Sequence, residues 1–196
     1  GTRLKPLTDT MPKALVPVGG KPLLGHVIGR LQESGHDDVT VNVHHFSEQI
    51  KDYISANYGI SDQAGPGIHI SDESDLLRET GGGIANARKY LDGDSPFLVH
   101  NVDILSNLDI AAFESSHREG ALASLVVSGR ETSRYLLFDG DMRLAGWTDV
   151  RTGEVRSPYP DLDAKACRRL AFSGIHLMSP EVFPLMDGRG ERFPII

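Results

Sequence analysis

GTRLKPLTDTMPKALVPVGGKP, residues 1–22, interleaves Arg3, Lys5, Lys13 and Lys21 with Leu4, Leu7, Leu15 and Val16. A solvated basic tail has no reason to mix its charges with apolar side chains, so the stretch reads as an ordered loop. Gly1 permits close backbone approach, and Pro12 removes a donor just before Lys13 and helps fix where that lysine points. Thr2 and Arg3 add a hydroxyl and a forked cation, both suited to phosphate oxygens. Taken alone, these residues describe a surface loop with solvated lysines more readily than a phosphate site. The rest of the chain has to decide.

The 196 residues suit one domain, and 39% hydrophobic residues suffice for a core. A mean hydropathy of −0.23, with no apolar run near twenty residues, excludes a membrane-spanning helix. Cys167 is the single cysteine, so no internal disulfide forms and a reducing cytoplasm is the expected location. The net charge of −7 argues against general nucleic-acid binding. It is unevenly spread: residues 1–21 hold four cations against Asp9, a local +3 that leaves −10 for the remainder. A positive edge on an acidic body suits a small anionic ligand.

Organisation follows from periodicity, without repeats or long linkers. Pro22 starts a helix over LLGHVIGRLQES that Gly35 stops. DVTVNV reads as a buried strand, and Ser47 is expected to cap a helix ending at Gly59. IHIS is a short strand, and a helix is expected from the glycines at 81–83 to Leu91. PFLVHN is a strand, and Asp109 caps the helix after it. Beyond Gly120 the pattern changes to ALASLVVS, YLLF, LAGWTD and RLAFSGIHLM, with DGD at 139–141 as a hairpin turn and a short helix near Pro180. The β-α alternation predicts a three-layer Rossmann-like α/β domain, its central sheet mixed and mostly parallel, with antiparallel additions in the second half.

Three stretches carry candidate chemistry. Two cations of the opening loop, Arg3 and Lys13, would neutralise charge that builds up in phosphoryl or nucleotidyl transfer. ETGGG at 79–83 places three glycines before a helix, where exposed N–H groups accept a ring lying flat against the turn; a flexible turn with Thr80 as N-cap is the plainer alternative. NVD at 101–103 follows an apolar strand, where α/β sheets place their ligands, so Asp103 could hold Mg²⁺ or merely cap a turn. The eight histidines lack zinc-ligand spacing, and no G-x-S-x-G or C-x-x-C occurs.

In order, these features are far more specific than any one of them. GTRLKPLT followed by PKALVPVGGKPLL resembles the signature of sugar-1-phosphate nucleotidylyltransferases, also called nucleotide-sugar pyrophosphorylases, and ETGGG, NVD and FSGI fall where that family has them. The resemblance covers essentially the whole chain. It is similar to the small, single-domain bacterial members, the N-acetylmuramate-1-phosphate uridylyltransferases and mannose-1-phosphate guanylyltransferases, and ETGGGI favours the first.

That resemblance implies a reaction and its residues. A sugar-1-phosphate oxygen attacks the α-phosphorus of a nucleoside triphosphate and displaces pyrophosphate, with Mg²⁺ as cofactor. Gly1, Thr2 and Arg3 would bind the triphosphate, Arg3 on the departing pyrophosphate, and Lys13 would reach the phosphates. Glu79, Thr80, Gly81 and Gly82 would hold the base or ribose through backbone contacts. Asp103 would bind the metal with Asn101 supporting its turn, and Gly146, Ser173 and Gly174 would line the sugar pocket. Arg3, Lys13 and Asp103 are thus the expected catalytic set.

The family signature also has a strand and glycine turn ahead of G-T-R, a second metal-binding aspartate near the carboxyl terminus and an E-K-P sugar contact. None is in this chain, so the expectation is one domain, residues 1–196, truncated at both ends. A catalytically silent binding or regulatory module of the same fold stays open as the alternative, as does a homodimer. Base and sugar are left unassigned.

Overall fold

Helix α1, Leu23–Glu33, begins where Pro22 supplies a pre-set φ of −57°, and it buries Leu23, Leu24, Val27 and Ile28 along one face. The computed structural model of the chain describes residues 4–63 and 65–195. Residues 4–22 ahead of α1 form short 3-10 turns and a two-stranded ribbon, β1 (Pro17–Val18) and β2 (Lys21–Pro22). Gly35 ends α1 at φ +90°, and the chain turns into β3, Asp38–Val43.

β3 pairs in parallel with β4, Gly67–Asp72, and helix α2, Ser47–Asn57, makes the crossover. Ile50 and Ile54 of α2 meet Val39, Val43, Ile68, Leu24, Ile28 and Ala14 in one apolar cluster. Gly59, at φ +77°, ends α2 as expected, its amide donating to Ile54. The start differs from the sequence reading. Ser47 lies inside the first turn and is buried, Phe46 precedes it at φ +56°, and no side chain caps the helix.

The glycine-rich stretch is also placed differently. Helix α3 runs Glu79–Asn86, so Gly81, Gly82 and Gly83 are buried helical residues rather than a turn before the helix; a break at Ala87 separates α4, Arg88–Leu91. β5, Phe97–His100, is followed by α5, Ile110–Ser115, whose amide at Ala112 donates to the Asp109 carboxylate at 2.9 Å, the cap that the sequence predicted.

Four strands follow in succession: β6, Ala123–Ser128; β7, Arg134–Phe138; β8, Leu144–Asp149; and β9, Glu154–Arg156. The 139–141 turn forms, with Asp139 donating its amide to Arg143 and accepting from Asp141 and Arg143 on Oδ1. β9 is three exposed residues with no apolar pattern, which is why periodicity missed it. β10, Arg168–Met178, is the long strand around which the sheet is organised. Its last residues lie between β5 and β6, and its first pair with β7, giving the order β5-β10-β7-β8-β9 with β6 also on β10. A 3-10 turn at Pro180–Val182 and α6, Phe183–Met186, complete the described elements.

The α/β class of the sequence reading holds. The proportion of parallel pairing is smaller than that reading has it: among the described residues β3–β4 is the parallel pair, and the six-stranded sheet pairs antiparallel throughout. An apolar run such as FLVH identifies a buried strand but carries nothing about partner direction. The direction is set by β10, some seventy-five residues later, arriving antiparallel beside β5. Among the described residues no helix is long and apolar enough to cross a membrane.

Candidate active site

Lys13 opens a 3-10 turn, Lys13–Leu15, whose frame is Pro12 at φ −67°, ψ 148°. Pro12 is buried and accepts the Leu15 amide at 2.9 Å, while Ala14 is anchored in the core beside Leu24 and Ile28. With both neighbours held inward, Lys13 is left pointing out of the core. Its ammonium pairs with the Asp103 carboxylate, 90 positions away.

Asp103 is presented by a tight turn after β5. Ile104 donates its amide to Asn101 at 3.2 Å, and the Asn101 amide donates to Gly174 at 2.9 Å. Val102 packs into the β3–α2 cluster, so its neighbours Asn101 and Asp103 face away from that core. Gly174 has φ +78°, and a β-carbon on it would lie 2.9 Å from both Asn101 Nδ2 and Ile104 Cγ1. The structure therefore brings Lys13, Asn101, Asp103 and the Ser173–Gly174 segment of β10 together. His100, directly before this turn, is depressed below the ordinary imidazole range chiefly by burial, and its Nδ1 donates to the Asn101 carbonyl.

The ETGGG stretch departs from the picture of exposed amides. The Gly81 and Gly82 amides both donate to the Phe193 carbonyl, at 3.0 and 3.1 Å. A β-carbon on Gly81 would meet the Phe193 ring at 2.5 Å, and one on Gly82 would strike the Glu191 carbonyl. What approaches these glycines is the chain's own segment 191–193, not a flat ligand. Glu79 and Thr80 form the accessible edge of the same turn. Glu79 sits at φ +62° with its carboxylate 2.9 Å from Arg192, and Thr80 Oγ1 accepts the Ile195 amide.

Gly146 is placed apart from this cluster. A β-carbon there would strike the Arg156 carbonyl at 2.6 Å and Leu162 at 3.2 Å, so it admits β9 and the following loop. Close strand packing explains the glycine. Gly1, Thr2 and Arg3 lie outside the described residues.

Glu73 was missed by sequence reasoning. It is 1% exposed, takes Asn42 Nδ2 at 3.1 Å and the Arg78 amide at 3.2 Å, and receives His44 Nδ1 on its carbonyl. This buried carboxylate ties the ends of β3 and β4 to the loop that leads into ETGGG. In sequence it sits in SDESD, which reads as a solvated acidic loop. Arg192 and Phe193 carry no sequence signal at all.

Lys13 and Asp103 thus bring a cation and a turn-borne carboxylate from distant parts of the sequence to one point. Residues 1–135 match the family model described as Nucleotidyl transferase. The chain belongs to that family. It is 32% identical to the N-acetylmuramate alpha-1-phosphate uridylyltransferase of Caulobacter vibrioides, over all of this chain and 77% of that protein. With the uridylyltransferase of the same name from Neisseria meningitidis serogroup B it shares 36% identity over 93% of this chain and 73% of the relative. The fold matches the inositol-1-phosphate CTP transferase of T. maritima with a TM-score of 0.70 at 14% identity, covering 99% of this chain and 73% of that one. A UDP-glucose pyrophosphorylase complexed with UDP-glucose gives 0.66 at 16% identity, covering 99% and 79%. This nucleotidyltransferase thus has the fold expected of it, and the enzymatic reading prevails over a silent module.

Proposed function

We propose that this nucleotidyltransferase moves a uridylyl group from UTP to a sugar-1-phosphate, giving a UDP-sugar and pyrophosphate. The observation that carries the reading is the meeting of Lys13 and Asp103 over the Gly174–Asn101 contact. The uridylyltransferases at 32% and 36% identity support the base and an N-acetylmuramate-type sugar, and hence a role in making cell-wall or polysaccharide precursors from cytoplasmic UTP.

An oxygen of the sugar-1-phosphate attacks the α-phosphorus, a new P–O bond forms, and the bond to the β-phosphate oxygen breaks as pyrophosphate leaves. The nucleophile is already an anion, so no proton needs to be removed. Lys13 holds negative charge on the phosphates as it redistributes, and Arg3 is assigned to the departing pyrophosphate. Asn101 holds the turn that aims Asp103, while Ser173 and Gly174 border the sugar side. Glu79 and Thr80 offer the base or ribose its contacts, with Gly81 and Gly82 behind them.

Among the described residues no group of three or more His, Cys, Asp or Glu side chains is arranged to hold a metal ion. Asp103, an exposed carboxylate already paired with the Lys13 cation, fits the way Mg²⁺ uses one or two carboxylates together with water and phosphate oxygens. When bound, Mg²⁺ supplies charge neutralisation at the phosphates, and Asp103 is the residue to hold it. The test is pyrophosphate release from UTP and N-acetylmuramate 1-phosphate with Mg²⁺, against a panel of other triphosphates and sugar-1-phosphates. Release with UTP over GTP, CTP and dTTP supports the reading, and no release from any combination refutes it.

A further inference from the structure

The segment Glu191–Ile195 lies along residues 78–82 as a short strap. Phe193 donates its amide to the Arg78 carbonyl at 3.2 Å and returns its own carbonyl to the Gly81 and Gly82 amides. Ile195 donates to Thr80 Oγ1 at 3.1 Å, and Arg192 Nε lies 2.9 Å from Glu79 Oε1. Every residue from Arg78 to Gly82 is thereby held by the strap. The Phe193 ring is buried with Ile84, Met178, Phe183 and Met186, so the strap is rooted in the core of α3, β10 and α6.

Two features show that this contact sets a conformation rather than merely covering a surface. Glu79 is not a glycine, yet stands at φ +62°, a strained left-handed position that persists only where its surroundings hold it. Pro194 follows Phe193 and restricts it to extended backbone, which aims the carbonyl at the two amides. Glu79 and Thr80 form the more exposed edge of this first helical turn, and Gly81 and Gly82 its buried side.

We propose that Arg192, Phe193 and Pro194 are positioning residues for the nucleotide. They fix Glu79 and Thr80 in the arrangement that receives the base or ribose, without touching it. The proposal rests on the reading that this turn meets the nucleotide.

The test is steady-state kinetics with UTP and Mg²⁺, together with equilibrium UTP binding, on Arg192→Ala, Arg192→Lys, Pro194→Gly and the double variant Glu79→Ala/Arg192→Ala. Arg192 is exposed, so Arg192→Ala and Arg192→Lys should keep the unfolding midpoint of the parent, while Pro194→Gly should lower it slightly by freeing the unfolded chain. Arg192→Ala and Pro194→Gly should raise KM for UTP about two- to fivefold, with kcat within about twofold. Arg192→Lys should recover most of the loss, and Arg192→Ala should add nothing in the Glu79→Ala background. Unchanged KM in both variants, or a fall in kcat at constant KM, overturns the proposal. A parent protein that binds none of UTP, GTP, CTP or dTTP overturns the underlying nucleotide reading as well, which separates the two failures.

Discussion

The Gly174 carbonyl accepts the Asn101 amide at 2.9 Å, and the same glycine leaves no side chain between β10 and the turn that carries Asp103. Gly174→Ala must both adopt φ near +78° and push against Asn101 and Ile104. The backbone term alone costs about 1–2 kcal/mol, which lowers the unfolding midpoint by about 2–8 °C in a domain of this size. Turnover should fall further than stability, because the displaced turn takes Asp103 with it. Thermal unfolding and pyrophosphate release on the same preparation check both parts.

Lys13 and Asp103 form a solvent-accessible pair that contributes little to folding, and the proposed reaction is where its loss should show. Lys13→Ala and Asp103→Ala should each lower turnover by about 100-fold or more. The unfolding free energy should change by under about 1 kcal/mol. Retained turnover in Asp103→Ala would refute its role in the reaction.

Gly81 and Gly82 are packed against Phe193 and Glu191 rather than left open for flexibility. Gly81→Ala and Gly82→Ala should therefore destabilise by about 1–3 kcal/mol through overpacking. An alanine in a solvent-open turn would instead be neutral or mildly stabilising. Denaturant unfolding distinguishes the two outcomes, and Gly82→Ala should be the worse because its β-carbon would come closer to a backbone carbonyl than the 2.9 Å for Gly81.

His176 lies between β5 and β6 on β10, 7% exposed, and neither of its ring nitrogens has a hydrogen-bond partner among the described residues. Burial pushes its pKa down to about 4 from an ordinary 6.5. The folded state thus resists protonation that the unfolded chain accepts. Stability is complete above pH 6.5 and falls as pH drops from 6.5 to about 4, by an amount of order 3 kcal/mol. His176→Leu should remove that slope, measured as denaturant midpoints across the window.

Much of the fold was legible because it is written in local patterns. Leu23, Val27, Ile28 and Leu31 recur at helical spacing, Val39, Val41 and Val43 alternate, and Asp109 and Gly59 are end signals that act through their own neighbours. Ser47 shows the limit of such signals, since Phe46 at φ +56° moves the start of α2 and removes the cap. Of the candidate site, Lys13, Asn101, Asp103 and Gly174 were legible as motifs. Glu73 was not, because an acid in SDESD looks solvated until β3, β4 and Arg78 close over it.

By itself, then, the sequence determined the helices and most of the strands, because periodicity, caps and turn residues act over a few positions. Only the tertiary structure decided which of them meet. Lys13 reaches Asp103 because Pro12 and Ala14 are buried on either side of it, and β10 chooses antiparallel partners that no single strand specifies. The three glycines at 81–83 changed meaning most. A run of small residues states only that something comes close, and it was the folded chain that supplied Phe193 and Glu191 as the neighbours.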